Sequence, residues 1–535
     1  MIAARRFSPF DSRTFLALTV GLLLVGALPD PADAQCNPGG GPGGVGADLI
    51  VGSIDSIGGF GIVNGFSAYA LGISICNIGT APAPWLANTD EHPVVLTNLY
   101  RIVGGRCEQV GSSWMRHGFA ALSQDGCGCG CLPGGLDSLG VGCSDTSSAF
   151  LAGQQTALAA PSELLDATAV SFTFPPALSP PIPDATARRL RVAVADVDPF
   201  LNLGAGYFVE AIVYSAADAA GSAPFDGASV REVVVAPAAT NFALGPASPT
   251  LQRTSALEIW ATVDPTVELV SLDDGSGGRI IVAARVEQSS ATEWTYEYAI
   301  QNLNSERAVA TVTVPVGLAS IANPGFHDCD PHSGDILSGT DWAFADLGST
   351  LVWSTDSFAV DPLANAIRAG HTHNFRFTTD VAPVLSNLTL GLFTPGAVST
   401  LDAALPAPSI DLFDCNGNGV DDSDDLLAGT SLDCNANAIP DECEEPVYRR
   451  GDSNVDGTVN VADAVKVLGE LFLGQPIPCE AAGDVNGDAG RNVADAVFLL
   501  TYLFQPGATM PGAPFPDCGV APSGAAFPCC EPECP

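Results

Sequence analysis

Five side-chain oxygen donors recur at fixed positions near the C-terminus: Asp452, Asn454, Asp456, Asn460 and Asp463. With Asp452 as position one, they fall at one, three, five, nine and twelve. Gly457 stands at six, and Thr458 offers its carbonyl at seven. Calcium takes six to eight oxygens from alternating positions of a tight loop, closed by a carboxylate at twelve, and this spacing supplies that set. The pattern recurs with Asp484, Asn486, Asp488, Asn492 and Asp495, where Ala489 holds position six and Gly490 position seven. Gly451 to Phe472 and Gly483 to Phe504 share more than half of their aligned residues, so the stretch is an internal duplication. A left-handed backbone at Ala489 costs about 1–2 kcal/mol. Arg491 adds a positive charge beside the second loop. Together they predict that the second loop binds calcium less tightly by about tenfold or more.

Each loop must be carried by something that holds its ends. Val465, Leu468 and Phe472 are spaced for one face of a helix, which predicts that they pack. The helical stretches 465–472 and 497–504 are too short to stand alone, so they are expected to pack together, with calcium holding the loops. These residues resemble the type I dockerin module, a pair of loop-plus-helix calcium repeats. The resemblance implies a small α-helical calcium-binding module over 447–510. It also implies docking onto a cohesin-type or other cell-surface protein, and company with polysaccharide processing.

A shorter echo precedes it. Asp414, Asn416, Asn418 and Asp422 are followed by Asp433, Asn435, Asn437 and Asp441 in the same alternation, within a stretch that has no basic residue. This pattern resembles thrombospondin type 3 calcium repeats, which implies a calcium-stiffened stalk over 409–446. A plain acidic linker is the alternative reading.

Catalytic candidates are sparse. His327, Asp328, Asp330 and His332 crowd one segment, and His371 and His373 sit two apart on a possible strand. They suit either a transition-metal site or a polar loop. Glycoside cleavage needs two carboxylates across a cleft. Glu297 reads as a solvated residue on a polar strand face. Glu210 shares its face with Phe208, Ile212 and Tyr214, which predicts a raised pKa, yet it has no evident partner. No nucleophile elbow, phosphate loop or zinc-protease motif occurs.

The 535 residues include 20 basic and 60 acidic ones, a net charge of −40 that opposes nucleic-acid binding. The 57 glycines and 41 prolines favour short strands and turns over long helices. Residues 1–34 read as a signal peptide, with Arg5 and Arg6 ahead of an apolar run and Ala32-Asp33-Ala34 before Gln35. Secretion or a cell-surface location is therefore expected, with no membrane span. Sixteen cysteines in an exported chain predict disulfides, with Cys127, Cys129 and Cys131 pairing rather than binding metal. Segments around Trp114–Gly118 and Phe326–Asp328 resemble large exported planctomycete-type proteins.

The expected fold is mainly β. A Gly/Pro leader (35–47) is followed by a disulfide-bearing β domain (48–250) and a β-sandwich domain (251–408). A Cys/Pro-rich tail (511–535) closes the chain. Strands are predicted near 190–194, 280–286, 294–301, 309–316 and 375–377, with one helix around 150–165. Two functions stay open. One is a calcium-binding assembly or attachment protein. The other is a polysaccharide-degrading hydrolase with its site in 48–408.

Overall fold

The computed structural model describes residues 44–116, 120–154, 158–167, 170–180, 184–221, 226–237, 242–317, 319–332, 334–408, 422–431, 439–440, 443 and 447–520. The expected signal peptide lies outside the described residues, as do most of the leader and most of the acidic repeats. The chain divides into two compact units, Met1–Pro408 and Ser409–Pro535.

The first unit is mainly β, and its strand pairings are antiparallel. Its largest sheet runs through Leu49–Val63, Phe66–Asn77, Leu190–Ala193, Arg106–Ser112, Val94–Val103, Gly206–Tyr214, Ala228–Pro237 and Phe242–Pro246. A five-stranded sheet follows in the order Glu268–Asp273, Arg279–Ser290, Glu293–Asn302, His371–Thr379 and Ile321–His327. Another orders Ala343–Asp346, Thr350–Ser354, Val309–Pro315, Val384–Leu392 and Thr400–Ala407. These two five-stranded sheets share one core, in which Tyr296, Tyr298, Phe375 and Phe377 meet Val312, Trp353, Leu390 and Leu405. The predicted strands near 190, 280, 294, 309 and 375 all form. The turn at Asp273-Asp274-Gly275 forms because the Asp274 carboxylate accepts the N–H groups of Ser276 and Gly278.

A second core cluster spans position 250. It joins Val94, Tyr100, Phe208 and Ile212 to Trp260, Ile281 and Ala299. Glu297 was expected to be solvated, yet it is 3% exposed and pairs with Arg106 at 2.6 Å. Both faces of its strand are covered, so alternation there separates two buried environments rather than core from water. The helix expected over 150–165 is reduced to four residues, Ala149–Ala152, followed by short extended pieces around the turn that begins at Pro161. The eight-residue helix of this unit is Ala256–Val263. Ser255 caps it, accepting from Glu258 N, and the Glu258 carboxylate accepts the Ser255 N–H.

Disulfides join Cys76 to Cys127 and Cys131 to Cys143, and Cys129 is also disulfide-bonded. Cys107 and Cys329 are free thiols, so pairing is not general, and burial raises both thiol pKa values.

In the second unit, helices Val461–Leu473 and Val493–Phe504 pack on each other through Ala464, Val467, Ala496 and Leu499, with Val485 between. The short strand Gly519–Val520, in the stretch expected as tail, pairs with Val447–Tyr448. Phe515 packs edge-on against Tyr502. Asp422, expected as a ligand of the first acidic repeat, begins the helix Asp422–Ala428.

Candidate functional site

The two loops place their donors identically. Asp452 accepts the N–H groups of Asp456 and Gly457 at 3.1 and 3.0 Å, and Asp484 those of Asp488 and Ala489 at 3.1 and 3.2 Å. Asp463 reaches back to Asn454 N and Asn460 N, just as Asp495 does to Asn486 N and Asn492 N. Asn454 and Asn486 each donate to the carboxylate at position five, at 2.9 Å in both loops. Position nine has a second duty: Asn460 and Asn492 cap the two helices, accepting from Ala462 N and Ala494 N. Asp463 and Asp495 complete the capping boxes, so the residue that closes each loop also starts its helix. Thr458 and Gly490 follow the position-five carboxylates, which accept their N–H groups.

Charge accumulates in these loops. Asp463 and Asp495 are fully buried. Burial pushes both carboxyl pKa values up, and neighbouring loop carboxylates add to the rise. Burial likewise raises Asp452. Asp456 moves the other way, because the Thr458 hydroxyl and N–H stabilise its charge.

The backbone departs from the expected asymmetry. Each loop has left-handed residues at positions four and six: Val455 (φ 56°) and Gly457 (φ 82°) in the first, Gly487 (φ 73°) and Ala489 (φ 63°) in the second. Each therefore carries one glycine and one strained L-residue, and the first loop's is β-branched. Arg491 is held away from the second loop by Glu470 at 2.5 Å and Glu480 at 2.9 Å. Both reasons for a weaker second loop are thereby offset.

The helix faces also differ from expectation. Leu468 packs, but Val465 is 61% and Phe472 69% exposed. Their equivalents in the second repeat, Val497 and Phe504, are exposed too, as are Val461 and Val493. The duplication has thus produced two matching sets of exposed apolar side chains. Periodicity identified the helices without showing which face turns inward, because Ala464 and Val467, with Ala496 and Leu499, form the contact.

Of the acidic repeats, Asp414, Asn416, Asn418, Asp433, Asn435, Asn437 and Asp441 lie outside the described residues.

Glu210 is fully buried in the first unit. It accepts from Asn98 Nδ2 at 3.0 Å, Gln301 Nε2 at 2.8 Å and Ala256 N at 2.9 Å. Burial raises its pKa, as its apolar neighbours predicted. These contacts make it a structural hub rather than a group facing substrate. The histidines are engaged separately: His327 Nε2 lies 3.2 Å from Gln109 O, and His332 Nε2 lies 2.8 Å from Arg189 O. His373 sits edge-on between Phe326 and Trp342. Among the described residues, the group of three metal-capable side chains is none of these. It is Asp48, Asp218 and Asp226.

No family model and no curated protein matches the chain. Among solved structures, it is similar to a serine-rich repeat adhesion glycoprotein from Streptococcus agalactiae at 8% identity, with a TM-score of 0.16. That match covers 63% of this chain and 89% of the other. It is also similar to an exo-chitosanase of Amycolatopsis orientalis solved with a glucosamine derivative, at 8% identity and a TM-score of 0.14, covering 62% and 25%. Likeness at this level carries no argument about fold or activity.

Proposed function

We propose that residues 447–520 form a calcium-dependent docking module, dockerin-like in kind, that attaches an exported β-rich protein to a cohesin-type or other cell-surface partner. The observation that carries this reading is the doubled arrangement of oxygen-rich loops leading into helices that expose matching apolar residues. The donors are carboxylate, amide and carbonyl oxygens, the hard set that calcium takes. The buried, mutually repelling carboxylates of Asp452, Asp463 and their second-loop counterparts are relieved by a bound cation. Asp452, Asn454, Asp456, Asn460, Asp463 and the Thr458 carbonyl would hold one ion. Asp484, Asn486, Asp488, Asn492, Asp495 and the Gly490 carbonyl would hold the other. Bound calcium supplies charge neutralisation. The chain supplies the helix pair, whose exposed Val461, Val465 and Phe472, with Val493, Val497 and Phe504, form an apolar surface suited to a protein partner. In this reading the acidic stretch 409–446 is a calcium-stiffened stalk, and the partner assembly handles polysaccharide.

The test is capture from the secreted and envelope fractions by the full chain, in calcium and in chelator. Capture should need calcium. It should also be lost in Phe472→Asp/Phe504→Asp, while calorimetry still shows calcium binding. Capture indifferent to both changes would remove the docking assignment.

A further inference from the structure

The first unit holds an acidic cluster unconnected with the loops. Asp48 immediately precedes the strand Leu49–Val63, Asp218 lies in the short helix Ala216–Ala219, and Asp226 precedes the strand Ala228–Pro237. Each presents a carboxylate oxygen within 4.8 Å of those of the other two. Asp48 is 1% exposed, and its Oδ1 has no hydrogen-bond partner, while Oδ2 accepts from Gly44 N. Asp226 Oδ1 is likewise buried without a hydrogen bond, and Arg253 Nε stands 2.8 Å from Asp226 Oδ2. Leu49 N donates to Asp218 Oδ1 at 3.0 Å.

A buried carboxylate oxygen without a partner is costly, and native structures leave few of them. A divalent cation that displaced the Asp218 proton would meet three carboxylates and one guanidinium, whose surplus of two negative charges it balances. Burial above all, and then mutual repulsion, pushes Asp218 up to about 8 and Asp226 to about 6.

We propose that Asp48, Asp218 and Asp226 form a structural calcium site in the first unit. Calcium binds oxygens at about 2.3–2.6 Å, so donors on opposite sides of one ion stand up to about 5 Å apart. Three oxygens within 4.8 Å of one another lie no more than about 2.8 Å from a common centre, so shifts of a few tenths of an ångström bring all three carboxylates to a single ion. With oxygen donors alone, the site favours a hard cation over zinc or copper. The ion would pin the start of the first strand to the connection between two later strands; Leu49 and Asp218 are 169 residues apart in sequence. A clasp of this kind stabilises the folded unit by mass action.

All six tryptophans (Trp85, Trp114, Trp260, Trp294, Trp342 and Trp353) lie in the first unit, so tryptophan fluorescence of the full chain reports its unfolding. The experiment is thermal unfolding of the full chain followed by that signal, with calcium chloride or with chelator. At calcium a hundred times its dissociation constant, the midpoint should rise by about 3 °C. In Asp218→Asn the shift should disappear, while the chelator-treated midpoint should stay near that of the unaltered chain, because the Asp218 carboxyl already keeps its proton when no ion is bound. Asp48→Asn should likewise abolish the shift if Asp218→Asn fails to fold. Asp463→Ala/Asp495→Ala, which damages only the C-terminal loops, should keep the shift, so failure of the docking module is distinguishable from failure here. No calcium shift in the unaltered chain, or an equal shift in Asp218→Asn and Asp48→Asn, overturns the proposal.

Discussion

Replacing Ala489 by glycine isolates the backbone cost of the second loop. Ala489 has φ 63° and is exposed, and no core cluster includes its methyl group. Relief of the left-handed strain returns about 1–2 kcal/mol. The greater freedom of glycine in the unfolded chain takes back about 0.5–1 kcal/mol. The net is a gain of about 0.5–1 kcal/mol, or roughly two- to fivefold in an opening equilibrium. Val455→Gly at position four of the first loop is the contrasting control. Its φ of 56° is comparable, but its side chain packs against Tyr448, Cys479, Ala481 and Ala482. Half of a valine's burial is worth about 1 kcal/mol, which cancels the relief. Hydrogen exchange of the full chain, read in peptides covering Val493–Phe504 and Val461–Leu473, separates the two cases. Exchange should slow about two- to fivefold over the second helix in Ala489→Gly, and should stay level or quicken over the first helix in Val455→Gly. Unchanged or faster exchange in Ala489→Gly would refute the strain argument.

Because strain is shared and Arg491 is engaged elsewhere, the two loops should bind calcium within about tenfold of each other. Calorimetric titration of Asp463→Ala and Asp495→Ala chains, each keeping one loop, checks this. Glu210→Gln should cost the first unit about 1–3 kcal/mol in denaturant unfolding, because its amide would turn a donor toward that of Asn98 or Gln301. Burial holds His373 well below the ordinary histidine range, and His371 below it as well. The folded form therefore binds fewer protons than the unfolded form. The stability this brings is complete above about pH 6.5 and falls as the pH drops below it, by up to about 1.4 kcal/mol per unit for each group. Tryptophan-monitored unfolding across pH 7 to 5 should show that slope, and His373→Phe should lessen it.

The loops were legible because calcium chemistry is local: six donors within twelve positions declare themselves, and duplication repeats the statement. Strands such as Glu293–Asn302 were legible for the same reason, since alternation is a short-range signal. What lay beyond the sequence was long-range. Glu297 reads as solvated until Arg106, 191 residues away, is brought against it. Glu210 reads as a possible acid until Asn98, Gln301 and Ala256 occupy its oxygens. The metal-capable trio draws on three separate segments, and no spacing rule relates them. The helix at Ala256–Val263 did leave a local trace, Ser255 followed by Glu258, which the search for apolar periodicity passed over. The inward face of each C-terminal helix was hidden because apolar residues occur all round it, and the contact runs through Ala464 and Val467 in one helix and Ala496 and Leu499 in the other.

The core shared across position 250 sets the size of the smallest portable piece of this protein. Trp260 and Ile281 fill the space beside Tyr100 and Phe208, and Asn98 donates to Gly370 O as well as to Glu210. A cut between Pro246 and Thr254 would therefore sever the chain without releasing either half. Nicked protein should run as two bands under denaturing conditions and elute as one species in buffer. Recombination that shuffles β modules could exchange 44–408 as a block, whereas a crossover at 250 would expose apolar surface on both products and be lost to aggregation.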